Sequence, residues 1–298
     1  MIKPRRATMA DLQLRLSHNA AGDFFVDSTC IDCDQCREIA PAVFRDAKDT
    51  ASVYHQPASP EELRRTLMAL VTCPVGAIGA ESKHDLREAV DALPERIADH
   101  VYFCGFASRN SFGASSYLIV RPEGNVLMDS PRFAARLVKR IEQMGGVRWM
   151  FLSHVDDVAD HARFAAHFGC QRFIHKRERC ASLAGIEQWM EGDEPQEMGP
   201  GLLAIPTPGH TRGHTALLYQ NRFLFSGDHL WWSPERRELA ASRTYCWHSW
   251  EEQQESMQRL FDYRFEWVLP GHGRRHHASA EAMRELLQHC IAKMRRQR

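Results

Sequence analysis

Four times between residues 149 and 273, a short apolar run of β type ends in a loop that carries histidine or aspartate. "RWMFL" precedes "SHVDDVADH", "LLAI" precedes "PTPGHTRGH", "RFLF" precedes "SGDHL", and "EWVL" precedes "PGHG". Runs of this length and composition read as strands. Helical patterns lie between some of them, so the chain is constrained to a layered arrangement of sheets and helices. In such an arrangement one sheet edge can collect residues that are remote in sequence. A single histidine after a glycine is more often a turn residue than a ligand, but four such loops in series point to a shared metal-binding edge. Histidine nitrogen with aspartate oxygen is a donor mixture that suits zinc, iron or manganese.

The rest of the large segment fits this pattern. "SYLIV" and "NVLMD" flank the turn "RPEGN" and read as a hairpin. In "SPRFAARLVKRIEQMGG", Ser130 is the expected N-cap and Pro131 the first helical residue, with Leu137, Ile141 and Met144 on one face and a glycine stop. "DHARFAAHFG" reads as a second helix. Residues 81–97 are charged and read as a connecting helix or linker. The expected division is therefore 1–80, a linker 81–97, and 98–298.

The first quarter holds a different signal. Cys30, Cys33 and Cys36 are spaced C-x2-C-x2-C, and Cys73 stands before Pro74. Three thiolates at this spacing can wrap one corner of an iron–sulfur cluster, with a distant fourth closing the coordination. Four thiolates also bind zinc, although zinc sites usually use two C-x2-C pairs. Between the two pieces, Ser59 is an expected N-cap with Pro60 at the first helical position and Glu62 behind it. Leu63, Leu67, Leu70 and Val71 follow with helical period, so this helix delivers Cys73. With "AP" at Ala40 and Pro41, Phe44 and "CPVGAI", residues 24–80 resemble the single-cluster bacterial ferredoxins. That resemblance implies one 4Fe-4S cluster on Cys30, Cys33, Cys36 and Cys73.

Composition excludes several classes. Lys plus Arg and Asp plus Glu are both 38 in 298 residues, so no net field draws the chain to nucleic acid or an acidic membrane. No stretch approaches the roughly 18 apolar residues of a membrane span, and the basic start lacks an apolar leader. Nine cysteines without an export signal suggest reduced or metal-bound thiols, and a cytoplasmic location is expected. Cys104, Cys170, Cys180, Cys246 and Cys290 read as small hydrophobes.

From about residue 98 to 275 the chain resembles the metallo-β-lactamase superfamily. The resemblance rests on "SHVDDVADH", "PGHT", "SGDH" and "PGHG", and implies an α+β fold, an αββα sandwich with two metals between its sheets. Here the small ferredoxin-like α+β domain precedes it. The positions that match the family's ligands are His154, Asp160, His161, His210, Asp228 and His272. Asp228 would bridge the metals and Asp160 would orient a hydroxide, the two expected catalytic residues. The family's second histidine is replaced by Asp156 or Asp157, and Asp156 is preferred because it keeps a two-residue step from His154. His214 is expected to act behind the ligands, and His229, Trp231 and Trp232 either pack or face substrate. The resemblance implies a metal-dependent hydrolase of an ester, thioester or related small molecule, with two divalent ions of zinc, iron or manganese. A flavodiiron-like redox enzyme supplied with electrons by the cluster, with an electron-transfer partner, is the alternative, and a non-catalytic binding domain the third reading.

Overall fold

Alternation of buried side chains along the central strands explains the layering. In the strands Thr215–Tyr219 and Phe223–Gly227, Leu217, Tyr219, Phe223 and Phe225 enter one core while Ala216, Leu218 and Leu224 enter another. Successive strand residues point to opposite faces, so a sheet buried on both sides must be apolar throughout. The first core lies between two sheets, where the Tyr117 and Phe225 rings are 5.5 Å apart. The second is closed by the helices Trp250–Leu260 and Ala280–Arg296, through Trp250, Met257, Leu260, Met283, Leu287 and Ile291. Helices Ala135–Gln143 and His161–Phe168 bring Leu137, Val138, Ile141 and Phe164 to the core of the other sheet. The result is the expected α+β sandwich.

These features come from a computed structural model that describes residues 10–297. The basic start, residues 1–9, and its reading as a segment without a leader lie outside the described residues. One sheet has seven strands, in spatial order Gln188–Met190, Gln171–His175, Trp149–Phe151, Val126–Met128, Tyr117–Ile119, Val101–Phe103 and Glu95–Ala98. The other has six, Gln196–Gly199, Leu202–Pro206, Thr215–Tyr219, Phe223–Gly227, Trp267–Pro270 and His276–His277. No helix among the described residues is long and apolar enough to cross a membrane.

The N-terminal domain pairs Phe24–Val26 with Ile78–Ala80 and folds Phe44–Asp46 against Ala51–Val53. Its longer helix spans Pro60–Thr72, and the Ser59 hydroxyl accepts from Glu62 N at 3.1 Å, as the capping pattern requires. Met68 and Ala69 are its most buried apolar residues, beside Leu67. Residues 81–97 form only a short helix, Arg87–Asp91, before Glu95 enters the large sheet.

One expected helix start is displaced. The helix begins at Ala135, not Pro131, and has no side-chain cap. Residues 130–133 are instead held by tertiary hydrogen bonds: Ser130 N donates to Asp157 O at 3.2 Å, Arg132 N to Phe106 O at 2.8 Å, and Phe133 N to Asp160 Oδ2 at 2.7 Å. Bonds to two other segments, Phe106 and the 157–160 loop, outcompete the local capping preference.

Candidate metal centre

Strand ends place the donors. His154 continues its strand in extended conformation, φ −164° and ψ 176°, and the chain then tightens into a 3-10 turn, Val155–Asp157. Its Nδ1 lies 2.8 Å from Ser153 Oγ, which is 3.0 Å from Asp129 Oδ2. Burial pushes the Asp129 carboxyl up to about 7; in its ionised form it accepts the hydroxyl proton, so that Nδ1 carries the ring proton toward Ser153 and Nε2 is bare. That Nε2 is buried and has no hydrogen-bond partner among the described residues. It is 3.7 Å from Asp228 Oδ2 and 3.9 Å from Asp156 Oδ2. His210 Nε2, likewise unpartnered there, is 3.5 Å from Asp156 Oδ2 and 3.7 Å from Asp228 Oδ2. Two imidazoles and two carboxylates thus face one point.

A second point lies beside the first. Asp157 is fully buried, neither of its oxygens has a partner among the described residues, and it clusters with His154 and Asp228 within 4.8 Å. A Cβ on Gly271 would stand 2.5 Å from Asp157 Oδ2 and 2.8 Å from Asp228 Oδ1. The two carboxylates therefore converge on a space that exists because residue 271 has no side chain. His272 Nδ1 is 2.8 Å from Asp228 Oδ2, and its buried Nε2 is unpartnered within the same described set.

The electrostatics call for cations. Burial pushes the Asp157 carboxyl well above its ordinary range and lowers His154 to about 4. Burial opposes ionisation of Asp228 and of His272 too, but each stabilises the other's charge, taking Asp228 well below its ordinary value and His272 up to about 10. Buried carboxylates and bare imidazoles without partners are costly unless a positive ion compensates them. The donor chemistry fits two divalent ions, one among His154, Asp156, His210 and Asp228, the other among His154, Asp157 and Asp228, where His272 Nδ1 holds the Asp228 carboxylate.

Two residues assigned from sequence lie elsewhere. Asp160 accepts from Phe133 N at 2.7 Å and faces Arg163 at 3.8 Å, while His161 turns to Ser182 O at 3.3 Å and to Arg172 Nη1 at 3.1 Å. Both stand at the start of the helix His161–Phe168, Asp160 as its N-cap and His161 as its first residue. Asp157, set second to Asp156, joins the centre along with it. Successive residues of a 3-10 turn diverge by about 120°. Asp156 therefore faces the two histidines and Asp157 faces Asp228.

Supporting groups escaped the sequence reading. The buried Glu178 carboxylate accepts from Val155 N at 2.8 Å and Gly213 N at 2.5 Å, tying the loop after His154 to the loop after His210. Asp129 anchors Ser153 through both oxygens, with Ser153 N donating at 2.7 Å. His214 Nε2 accepts from Asp228 N at 3.1 Å, and its Nδ1 pairs with Thr207 Oγ1 at 2.8 Å, so it orients a donor. Burial keeps His214 well below its ordinary pKa, hence neutral. His229 is buried away from solvent, and Trp232 packs its ring on His276 with centroids 3.7 Å apart. His84 and His277 also stack, on Phe24 and Trp267.

The four expected cluster cysteines line one cavity. Asp32 and Asp34, between them, adopt left-handed φ of 57° and 66° that fold the loop around it. Ala51 N donates to Cys30 Sγ at 3.4 Å and Ala77 N to Cys73 Sγ at 3.3 Å. Burial raises Cys33, Cys36 and Cys73 above the usual thiol range, so these thiols ionise only with a compensating cation. The cradle fits an iron–sulfur cluster.

A family model described as the metallo-beta-lactamase superfamily matches residues 96–270, and one described as the 4Fe-4S single cluster domain of Ferredoxin I matches residues 26–80. Among solved structures, the DIM-1 metallo-β-lactamase exposed to ceftazidime aligns with a TM-score of 0.53 at 15% identity, over 68% of this chain and 96% of that one. VMB-1 aligns with a TM-score of 0.51 at 18% identity, over 67% of this chain and 94% of that one. At such identities the likeness is one of fold.

Proposed function

We propose that this chain, which belongs to the metallo-β-lactamase superfamily and carries a 4Fe-4S single-cluster ferredoxin domain, is a hydrolase of small ester or thioester substrates that works with two divalent metal ions. The observation that carries the reading is the convergence of His154 Nε2, His210 Nε2 and the Asp156, Asp157 and Asp228 carboxylates, with both imidazole nitrogens and both Asp157 oxygens buried and without partners among the described residues. Bound there, divalent ions would supply a hydroxide at neutral pH and polarise a carbonyl oxygen. Cys30, Cys33, Cys36 and Cys73 would hold the 4Fe-4S cluster.

The chain's own groups have distinct tasks. Asp228 accepts from His272 N at 3.0 Å and is fixed from behind by His214, so its carboxylate stays ionised between the two positions. Asp156 is the exposed member, its side chain 46% accessible, and is placed to accept a proton from water approaching the His154–His210 pair. Phe112 and Trp247, 58% and 63% exposed, flank the opening with ring centroids 6.3 Å from His272 and 6.2 Å from His210. They offer apolar walls to an acyl or aromatic substrate portion. The redox alternative rests on Asp156 and the neighbouring cluster alone and is less favoured.

The test is turnover of an ester and thioester panel by anaerobically prepared protein. His210→Ala is expected to abolish turnover and His277→Ala, a surface change, to retain it. Turnover that resists chelation, or equal rates in the two variants, would remove the reading.

A further inference from the structure

Cys33 and Cys36 are separated by Asp34 and Gln35, and both of these side chains leave the ferredoxin domain. Asp34 receives Arg274 through two bonds, Nε to Oδ2 at 2.5 Å and Nη2 to Oδ1 at 3.0 Å, while Arg274 Nη1 donates to Arg37 O at 2.8 Å. Gln35 Nε2 donates to Ser115 Oγ at 2.8 Å, and Ser115 N donates to Gly271 O at 2.7 Å. Gln35 and Ser115 are each only 4% exposed. Arg275 adds a bond to Glu38 Oε1 at 2.6 Å. The residues before and after His272 are thus held from the loop that folds around the cluster.

A fourth contact runs the other way. Gly113, with φ +87°, sits so close to the cradle that a Cβ there would be 2.6 Å from Cys33 Cβ and 2.9 Å from Cys33 Sγ. Its neighbour Phe112 faces His272.

We infer that Asp34, Gln35 and Arg274 are positioning residues through which the cluster loop sets His272, so that metal affinity at the second position depends on the ferredoxin domain. Asp34 holds a left-handed φ of 66°, a conformation that persists only where the surroundings impose it. Here Asp34 lines the cysteine cavity, and its carboxylate is held by both Arg37 and Arg274. The first position depends on it less, because His154 and His210 are fixed within the large domain by Ser153, Asp129 and Glu178, and only the shared Asp228 touches His272. A bidentate guanidinium–carboxylate pair transmits geometry as well as charge. This inference rests on the metal-centre reading.

The experiment is calorimetric zinc titration of the full, cluster-loaded, metal-stripped chain, with cluster absorption confirming that the cradle is intact. In Arg274→Gln the first zinc equivalent is expected to bind within about twofold of wild type and the second about 10- to 100-fold more weakly. Arg274→Lys, which keeps the charge but not the fork, should fall between them. Hydrogen exchange on wild type provides a measurement independent of any variant. Removing the cluster by oxidation should speed exchange of the 271–276 amides at least about tenfold while leaving 215–219 unchanged, since those strand amides belong to a different unit. Both zinc equivalents unchanged in Arg274→Gln, or exchange at 271–276 indifferent to the cluster, would overturn the inference. If wild type binds no zinc, the metal-centre reading fails by itself, and the exchange result decides the positioning role.

Discussion

Glu178 offers the deepest test of how the first metal position is built. It is 5% exposed, and its carboxylate takes one backbone N–H from each of two ligand loops, Val155 beside His154 and Gly213 between His210 and His214. Glu178→Ala removes both acceptors and leaves two buried donors with none. A hydrogen bond to a charged group contributes about 1.5–3 kcal/mol, so the expected destabilisation is roughly 3–6 kcal/mol. At about 2–4 °C per kcal/mol for a chain of this size, the melting temperature should fall by about 6–24 °C. The two loops also lose their common anchor, so the first zinc equivalent should weaken about 10- to 100-fold. Glu178→Gln retains one acceptor oxygen but sets its NH2 against the other backbone N–H, so its thermal shift should lie between half and all of that in Glu178→Ala. Scanning calorimetry and zinc titration read both effects. A Glu178→Ala protein that melts within about 2 °C of wild type and binds its first zinc unchanged would refute the anchoring argument.

Further outcomes follow from the same geometry. Gly271→Ala places a methyl group where the Asp157 and Asp228 carboxylates converge, and φ at 271 lies outside the left-handed region. It should therefore lose the second zinc equivalent with little change in melting temperature, and an unaltered titration would contradict the convergence. Asp156→Ala should weaken the first equivalent and Asp157→Ala the second, so loss of the same equivalent in both variants would contradict two positions. Cys36→Ala should bleach the brown colour of anaerobic protein, while zinc alone at full stoichiometry in wild type would contradict the iron–sulfur assignment.

Much of this was legible because spacing encodes it. The four strand-end loops announced His154, His210, Asp228 and His272, and the Ser59–Pro60–Glu62 pattern announced the helix that leads to Cys73. The limits have physical causes. Choosing Asp156 over Asp157 assumed strand-like alternation after His154, whereas a 3-10 turn sends the two carboxylates to different sides of the same centre. Asp160 and His161 matched the family's Asp-His pair by their neighbours, but the two extra residues before them carry that pair beyond the cluster. Asp129 had a faint signal, a carboxylate ending the apolar run "NVLM". Glu178 had none, since it lies in "HKRERC", a run that reads as a solvated surface. The bonds joining Asp34 to Arg274 and Gln35 to Ser115 span 240 and 80 residues of sequence, and no local pattern reports such pairing.

The central claim is tested most directly by following thioester hydrolysis while zinc is returned stepwise to metal-stripped, cluster-loaded protein. Turnover is expected to stay near background when no zinc is bound, to reach its maximum as the second equivalent fills, and to vanish again on chelation. Hydrolysis that proceeds without added metal, or a protein that stays inactive with two equivalents bound, would contradict it.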